Sequence, residues 1–398
     1  MKNGNISSEN KHSLEFLFPI NGDVVNERDG VSSENGIILT VKLIGKPDGE
    51  VYVNNIKAAN KNGRFTANVP VSFYRSVLVA NDIKNGETTE ITVFYFSGAV
   101  KKFRLSSDDN ILFLKDITDN KDKYSSIFDN PYLAVYKKAH DLYGAKVHLN
   151  LFYEVDKEAA SKFNPSPEGF NLSMATDKFR NEFIKNSDWL KLAFHSKSEF
   201  PDKPYLHGTA KEITADCIAV NREIMRFAGK ECISDSTTTH WGAANRECVR
   251  ALRSLGYRSL TGYFEKYGDE FIVSYYMSDK MCEHIGERDF YYDLSEDMIF
   301  GRIDLVLNER SYGEMFEKLK KIVSHPHRGG FVSIMIHEQY FYPSYVNHLP
   351  DFEKRVLTAC EYLYKNGYSG AHITEVSEEK HLKDNPLFKK KHTGLKTT

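Results

Sequence analysis

The rhythm of apolar and polar positions changes once along this chain. Up to about residue 103 the apolar positions fall in short alternating or β-branched runs: Ile37 to Ile44, Glu50 to Ile56, Arg64 to Val71, Ser76 to Ala80, Thr89 to Phe96 and Lys101 to Leu105. Turn formers separate them, at Gly45-Lys46-Pro47-Asp48-Gly49, Asn60-Lys61-Asn62-Gly63 and Lys84-Asn85-Gly86. Alternation with a period of two marks strands with one buried face, and no helical period intervenes. The pattern predicts a small all-β immunoglobulin-like sandwich over residues 14–103, after a polar, disordered start at 1–13. Trp and Cys are both absent from this stretch, so the immunoglobulin likeness is one of architecture alone.

From residue 104 onward, strand-like runs alternate with amphipathic ones. The strand candidates are Ala145 to Phe152, Trp189 to Phe194, Ser259 to Phe264, Phe271 to Met277, Phe331 to Ile336 and Ala371 to Val376. Ile213, Cys217, Val220, Ile224 and Phe227 step by three or four, as do Val249, Leu252 and Leu255, which puts each set on one face of a helix. Further helices are predicted at Pro131 to Tyr143, Tyr312 to Val323 and Phe352 to Tyr364, with Gly144 and Gly367 as stops. Strand then helix, repeated, implies parallel strands joined by crossovers, so residues 104–378 are expected to form an α/β domain of the (β/α)7-8 barrel kind. A polar tail, 379–398, follows, in which Lys389-Lys390-Lys391 reads as a solvated end.

Composition narrows the class. A chain of 398 residues with 41% apolar and 13% aromatic residues can furnish two cores, and a net charge of −2 lacks the basic stripe of a nucleic-acid binder. No apolar run is long enough to span a bilayer, and the start has no secretory core. The five cysteines, Cys217, Cys232, Cys248, Cys282 and Cys360, are odd in number and form no C-x-x-C pair, so they read as buried free thiols. A cytoplasmic location is expected.

The strand-like runs end in chemistry. The run from Phe103 leads into Asp108-Asp109-Asn110, the run from Trp189 into His195-Ser196-Lys197-Ser198-Glu199, and the run from Phe331 into His337-Glu338. Parallel barrels build their active sites at such C-terminal strand ends. Each residue also has a plain structural reading: Asp-Asp-Asn as a turn or cap, His337 as a rim histidine, and His240, after three threonines, as a cap for a helix starting near Ala243. His325-Pro326-His327-Arg328 precedes its strand and reads as surface.

Together the runs resemble the NodB-type polysaccharide deacetylases, carbohydrate esterase family 4. Ser107-Asp108-Asp109-Asn110 resembles the family's first motif, His195-Ser196-Lys197-Ser198-Glu199 its second, and Ser333-Ile334-Met335-Ile336-His337 its last. The resemblance covers roughly residues 104–376 and implies an incomplete barrel with one divalent metal, zinc for preference. Two departures mark a divergent branch: Glu199 stands where the family has a second metal His, and Thr239-His240-Trp241-Gly242 replaces its Arg-x-Pro motif.

The resemblance implies Asp108 as general base, Asp109 and His195 as metal ligands, and His337 as the catalytic His, which would protonate the departing amine or stabilise the tetrahedral oxyanion. Glu199 completes the ligand set, which with two carboxylates favours harder ions such as Mn or Mg beside zinc. His240 is the reserve ligand should Glu199 point away. Glu338 or Asp304 is expected to orient His337, and Trp241, Tyr340 and Tyr342 to stack on sugar rings. The expected activity is removal of an N-acetyl or O-acetyl group from a saccharide or glycan precursor. The alternatives are a non-catalytic carbohydrate-binding pseudo-deacetylase and a glycoside hydrolase using Asp108 and Glu338. The sandwich has three roles open to it: carbohydrate binding, self-association into a homo-oligomer, or shielding of the barrel.

Overall fold

The computed structural model describes residues 13–377, which form two compact units, one ending at Ser97 and the other beginning at Gly98. The expected disordered start and the polar tail with its lysine run fall outside the described residues, apart from residue 13.

The first unit holds two five-stranded sheets. One is built on Gly36–Ile44, paired with Glu15–Phe18, Gly30–Ser33 and Arg64–Val71; Ala59–Lys61 extends it. The other runs Val24–Val25, Glu87–Tyr95, Arg75–Asp82, Val51–Val53 and Ile56–Lys57. Arg64–Val71 alternates exposed and buried without a break, as a strand with one dry face must. Leu39, Val41, Phe65 and Val69 from the first sheet join Val51, Leu78, Ala80 and Val93 from the second in one hydrophobic core. The expected Glu50 to Ile56 strand is two short ones, because Asn54 and Asn55 adopt φ of 45° and 67° and make a tight hairpin.

The parallel strands of the second unit include β1 (Lys102–Asn110), β2 (Val147–Phe152), β3 (Leu190–Ser196), β4 (Ser236–Thr237), β5 (Ser259–Gly262), β6 (Met298–Arg302), β7 (Leu305–Val306) and β8 (Phe331–His337), and the short Ser369–Gly370 pairs parallel with the start of β1. One sheet has the order β3-β2-β1-β8-β7, the other β4-β5-β6 with Phe290–Asp293 antiparallel at its edge. A parallel bridge between Leu192 and Ile233 links β3 to the segment leading into β4. The chain is thus a mixed α/β protein, and Lys101 to Leu105, read among the early strands, begins β1 of the second unit.

Helices connect these strands: α1 (Leu112–Asp119), α2 (Pro131–Tyr143), α3 (Ala210–Phe227), α4 (Arg246–Ser254), α5 (Tyr312–Val323) and α6 (Phe352–Lys365). Their ends carry the expected chemistry. Asn130 caps α2 ahead of Pro131, Gly144 at φ 66° closes it, and Thr209 with Glu212 forms a capping box on α3. α3 buries Ile213, Cys217, Val220, Ile224 and Phe227, each apolar side chain contributing roughly 1.5–3 kcal/mol.

Two strand expectations fail. Phe271 to Met277 gives only Glu270–Ile272, in a hairpin with Glu265–Tyr267, and Ala371 to Val376 is a short helix, Ile373–Ser377. In the latter, Glu375 accepts from the His372 amide in a local turn, which an apolar count does not register. β6 and β7 leave no strand signal in the sequence, being short and flanked by charged residues. No helix among the described residues is long and apolar enough to cross a membrane.

Candidate metal centre

β1 ends with a break in its alternation. In a regular strand Asp108 and Asp109 would face opposite sides, but Asp109 has φ 61° and the β1–β2 register slips between Ser107 and Asn110. Asp109 thereby turns toward the ends of β3 and β8, while Asp108 keeps the face shared with Arg104 and Ser106 and stands beside His337, its register partner on β8. A left-handed Asp costs roughly 1–2 kcal/mol.

Asp109, His195 and His240 bring three ligand atoms within 4.8 Å of one another, and all three side chains are buried or nearly so. His195 Nε2 lies 3.1 Å from Asp109 Oδ1, His240 Nδ1 lies 3.3 Å from His195 Nε2, and His240 Nδ1 lies 3.6 Å from Asp109 Oδ1. In a tetrahedral site with bonds of about 2.0–2.1 Å, neighbouring ligand atoms are roughly 3.3–3.4 Å apart. The three separations fit the edges of one such face. The Thr238 carbonyl accepts from His195 Nδ1–H, which turns Nε2 toward Asp109 and His240.

The electrostatics suit a cation. Burial drives the Asp109 carboxyl up, but hydrogen bonds from His195 and His240 and the charge of His337 outweigh it and hold Asp109 well below the usual carboxylate range. Burial works against a charged His195, yet Asp109 and Asp108 raise its pKa nevertheless. The Gln339 amide donates to Asp109 Oδ2 at 2.8 Å, fixing the carboxylate so that Oδ1 faces the imidazoles.

Two further groups flank the trio. Asp108 Oδ1 accepts from Asn150 Nδ2 at 2.6 Å. His337 Nδ1 donates to Asn308 Oδ1 at 3.0 Å, and its Nε2 lies 4.0 Å from Asp109 Oδ2. Asp108, Asp109, His195, His240 and His337 thus converge from β1, β3, β8 and the turn after β4.

Nothing in sequence families or curated proteins matches this chain. Among solved structures, EndoBT-3987 of Bacteroides thetaiotamicron in complex with Man9GlcNAc2Asn aligns at 9% identity over 81% of this chain and 88% of its own, with a TM-score of 0.22. A Photobacterium sp. 2,6-sialyltransferase in a ternary complex with CMP and lactose aligns at 9% identity over 90% and 61%, with a TM-score of 0.10. Backbones that superpose this poorly carry no inference about fold or chemistry.

Four expected roles change. Glu199 stands outside the trio: the residues after β3 form a loop, so spacing of four from His195 does not converge as it would on a helix. Its carboxylate lies 3.9 Å from Lys162, and burial, with Asp109 nearby, pushes its pKa up to about 8. Glu338 is wholly buried at the start of α1, where it accepts from the amides of Ile111, Leu112 and Phe113 at 2.6–2.8 Å and from the Tyr342 hydroxyl at 2.9 Å. That makes it a helix anchor, and it removes Tyr342, whose hydroxyl it holds, from sugar stacking. Asp304 accepts from the Ser333 amide and faces Arg302, so Asn308 rather than Asp304 or Glu338 orients His337. Trp241 is 44% exposed with its ring 6.1 Å from that of His240, and the Tyr340 ring lies 6.2 Å from His337, so both remain beside the site. His240 does not cap α4; Asn245 does.

Sequence reading missed Asn150, Gln339, Asn308 and Thr238. Asn150 left a signal: His148 and Asn150 are polar at a period of two inside the apolar run of β2. Asn308 and Thr238 left none, since one lies in a loop and the other contributes a backbone carbonyl.

Proposed function

We propose that this protein is a metal-dependent hydrolase that removes an acyl group, N-acetyl or O-acetyl, from a saccharide or glycan precursor. In this reading the second unit is a divergent deacetylase-like (β/α) barrel and the first an immunoglobulin-like sandwich. The observation that carries it is the tetrahedral spacing of Asp109, His195 and His240, with Asp108 and His337 on either side. Two imidazoles and one carboxylate suit zinc better than Mn or Mg, which a second carboxylate from Glu199 would have favoured.

A zinc ion in this set would supply a Lewis acid and lower the pKa of a bound water from about 15.7 toward about 7. The chain does the rest. Asp108, steadied by Asn150, accepts the proton of the attacking water. His337, with Nδ1 fixed on Asn308, presents Nε2 to take up a proton and return it to the departing nitrogen or oxygen. Groups so placed contribute roughly 10² to 10⁴ in rate each.

The glycoside hydrolase reading loses its second carboxylate, because Glu338 is shut away under α1 with every oxygen engaged. A non-catalytic carbohydrate binder stays distinguishable. Zinc titration followed by metal analysis, with acetate release from N-acetylated saccharides, separates the two: one equivalent of metal with acetate release supports the hydrolase. An empty site and no release would overturn it in favour of the binder.

A further inference from the structure

Arg104 is 1% exposed, and its side chain crosses from β1 to β5, where Nη1 donates to Thr261 Oγ1 at 3.2 Å. Its Nε and Nη2 are unpartnered. The orphaned groups continue around it. Ser333 sits opposite Arg104 on β8, and Ser106 follows two residues along β1 on the same face; both are fully buried and both carry an unpartnered hydroxyl. His148, opposite Ser106 on β2, is as deeply buried and adds an unpartnered Nε2. Nearly all buried polar groups in folded proteins are bonded, so orphans gathered on one face of three adjacent strands mark a place built to hold something.

Charge decides what that is. Burial lowers the Arg104 guanidinium only to about 10, so it stays a cation. Among the described residues Asp108 is the carboxylate whose charge acts on it, and Asp108 Oδ1 is engaged by Asn150. The guanidinium itself touches no carboxylate: Nη1 is on Thr261 and the other two nitrogens are bare. The histidines nearby add no charge. Burial, with Arg104 and Lys191, holds His148 well below its ordinary value, and burial lowers His372 to about 3. A buried cation without a counter-ion in contact is among the costliest arrangements in a protein interior. Water would satisfy the N–H groups and leave the charge.

We infer that the interior face around Arg104 is a binding site for a small monovalent anion of the chloride class, with Arg104 supplying the charge and Ser106 and Ser333 donating hydroxyl hydrogens. Every wall residue is shut off from solvent, so the ion must be compact and must shed its hydration shell, which favours chloride over sulfate or phosphate. Arg104 precedes Asp108 by four residues, roughly 13 Å along the strand, so the anion is no ligand of the metal centre and the inference is independent of the hydrolase reading. Its part is structural: it completes the Arg104–Thr261 bridge between the two sheets of the second unit.

The test uses the full chain stripped of metal by chelation, so that no halide binds through zinc. Thermal unfolding is followed as chloride or bromide replaces gluconate at constant ionic strength, and bromide-soaked crystals are read by anomalous scattering. The midpoint should rise saturably by roughly 2–5 °C with either halide, and bromide should appear in contact with Arg104 Nε and Nη2. Arg104→Met should abolish both signals. Ser333→Ala keeps the guanidinium, should weaken the apparent bromide affinity by about two- to tenfold, and serves if the Arg104 variant does not fold. Water density at Arg104 in place of bromide overturns the inference. So does a bromide peak with no rise in solution, a rise of full size in Arg104→Met, or an unchanged affinity in Ser333→Ala.

Discussion

At φ 61°, Asp109 occupies a backbone region that Asn and Asp enter more readily than most residues, so Asp109→Asn keeps the turn while removing the charge. That substitution should abolish stoichiometric zinc binding, as metal analysis would show. Glu199→Gln, by contrast, should keep one equivalent of zinc, because its carboxylate lies outside the trio. His337→Ala should also keep the metal and lose about 10² to 10⁴ in turnover, with the loss in kcat rather than in metal affinity. Retained turnover in that variant would remove His337 from the reaction. The sequence made Asp109 and His195 legible because several strand-like runs end in acids and imidazoles in one order. Choosing between Glu199 and His240 needed the path of the loop after β3.

At the scale of elements, α1 depends on Glu338, from 225 to 227 residues away, for its first three amides. Burial pushes the Glu338 carboxyl up to about 7, while these amides and Tyr342 pull it down. Helix N-termini carry orphan N–H groups and a positive dipole end, so a buried carboxylate there anchors the helix. Glu338→Ala leaves three buried donors bare and should cost about 2–4 kcal/mol in urea unfolding. If Glu338 served as a catalytic carboxylate instead, rate would fall while stability held. Helix caps of local origin, such as Asn130 or Thr209 with Glu212, could be read from sequence; this one could not, because its partner comes from the other end of the unit.

Across the whole molecule, metal and protons should both govern stability. Zinc at about a hundred times its dissociation constant should raise stability by about 2.7 kcal/mol, and a fragment of residues 98–378 should respond likewise, since the trio lies wholly in that unit. His372 is buried with both ring nitrogens unpartnered, and burial lowers its pKa from 6.5 to about 3. Below about pH 6.5 the unfolded chain binds a proton there that the folded chain refuses, so stability is full above that pH and falls steadily toward pH 3. His148, held well below its ordinary value by burial and by Arg104, works in the same direction. His372→Leu should therefore lose less stability than the wild type between pH 7 and pH 5 in denaturant titrations; an unchanged slope would assign the acid sensitivity elsewhere.

The sequence by itself determined the change of rhythm from strands alone to strands with helices, the long amphipathic helices with their local caps, and the strand-end residues Asp108, Asp109, His195 and His337. These are encoded by periodicity and by neighbours a few positions apart. Tertiary structure alone decided that His240 rather than Glu199 lies against Asp109 and His195, that Glu338 holds a helix, and that Asn308 and Gln339 bond to His337 and Asp109. Each of those depends on where loops bring groups separated by tens to hundreds of residues, a distance over which no periodicity in the chain carries information.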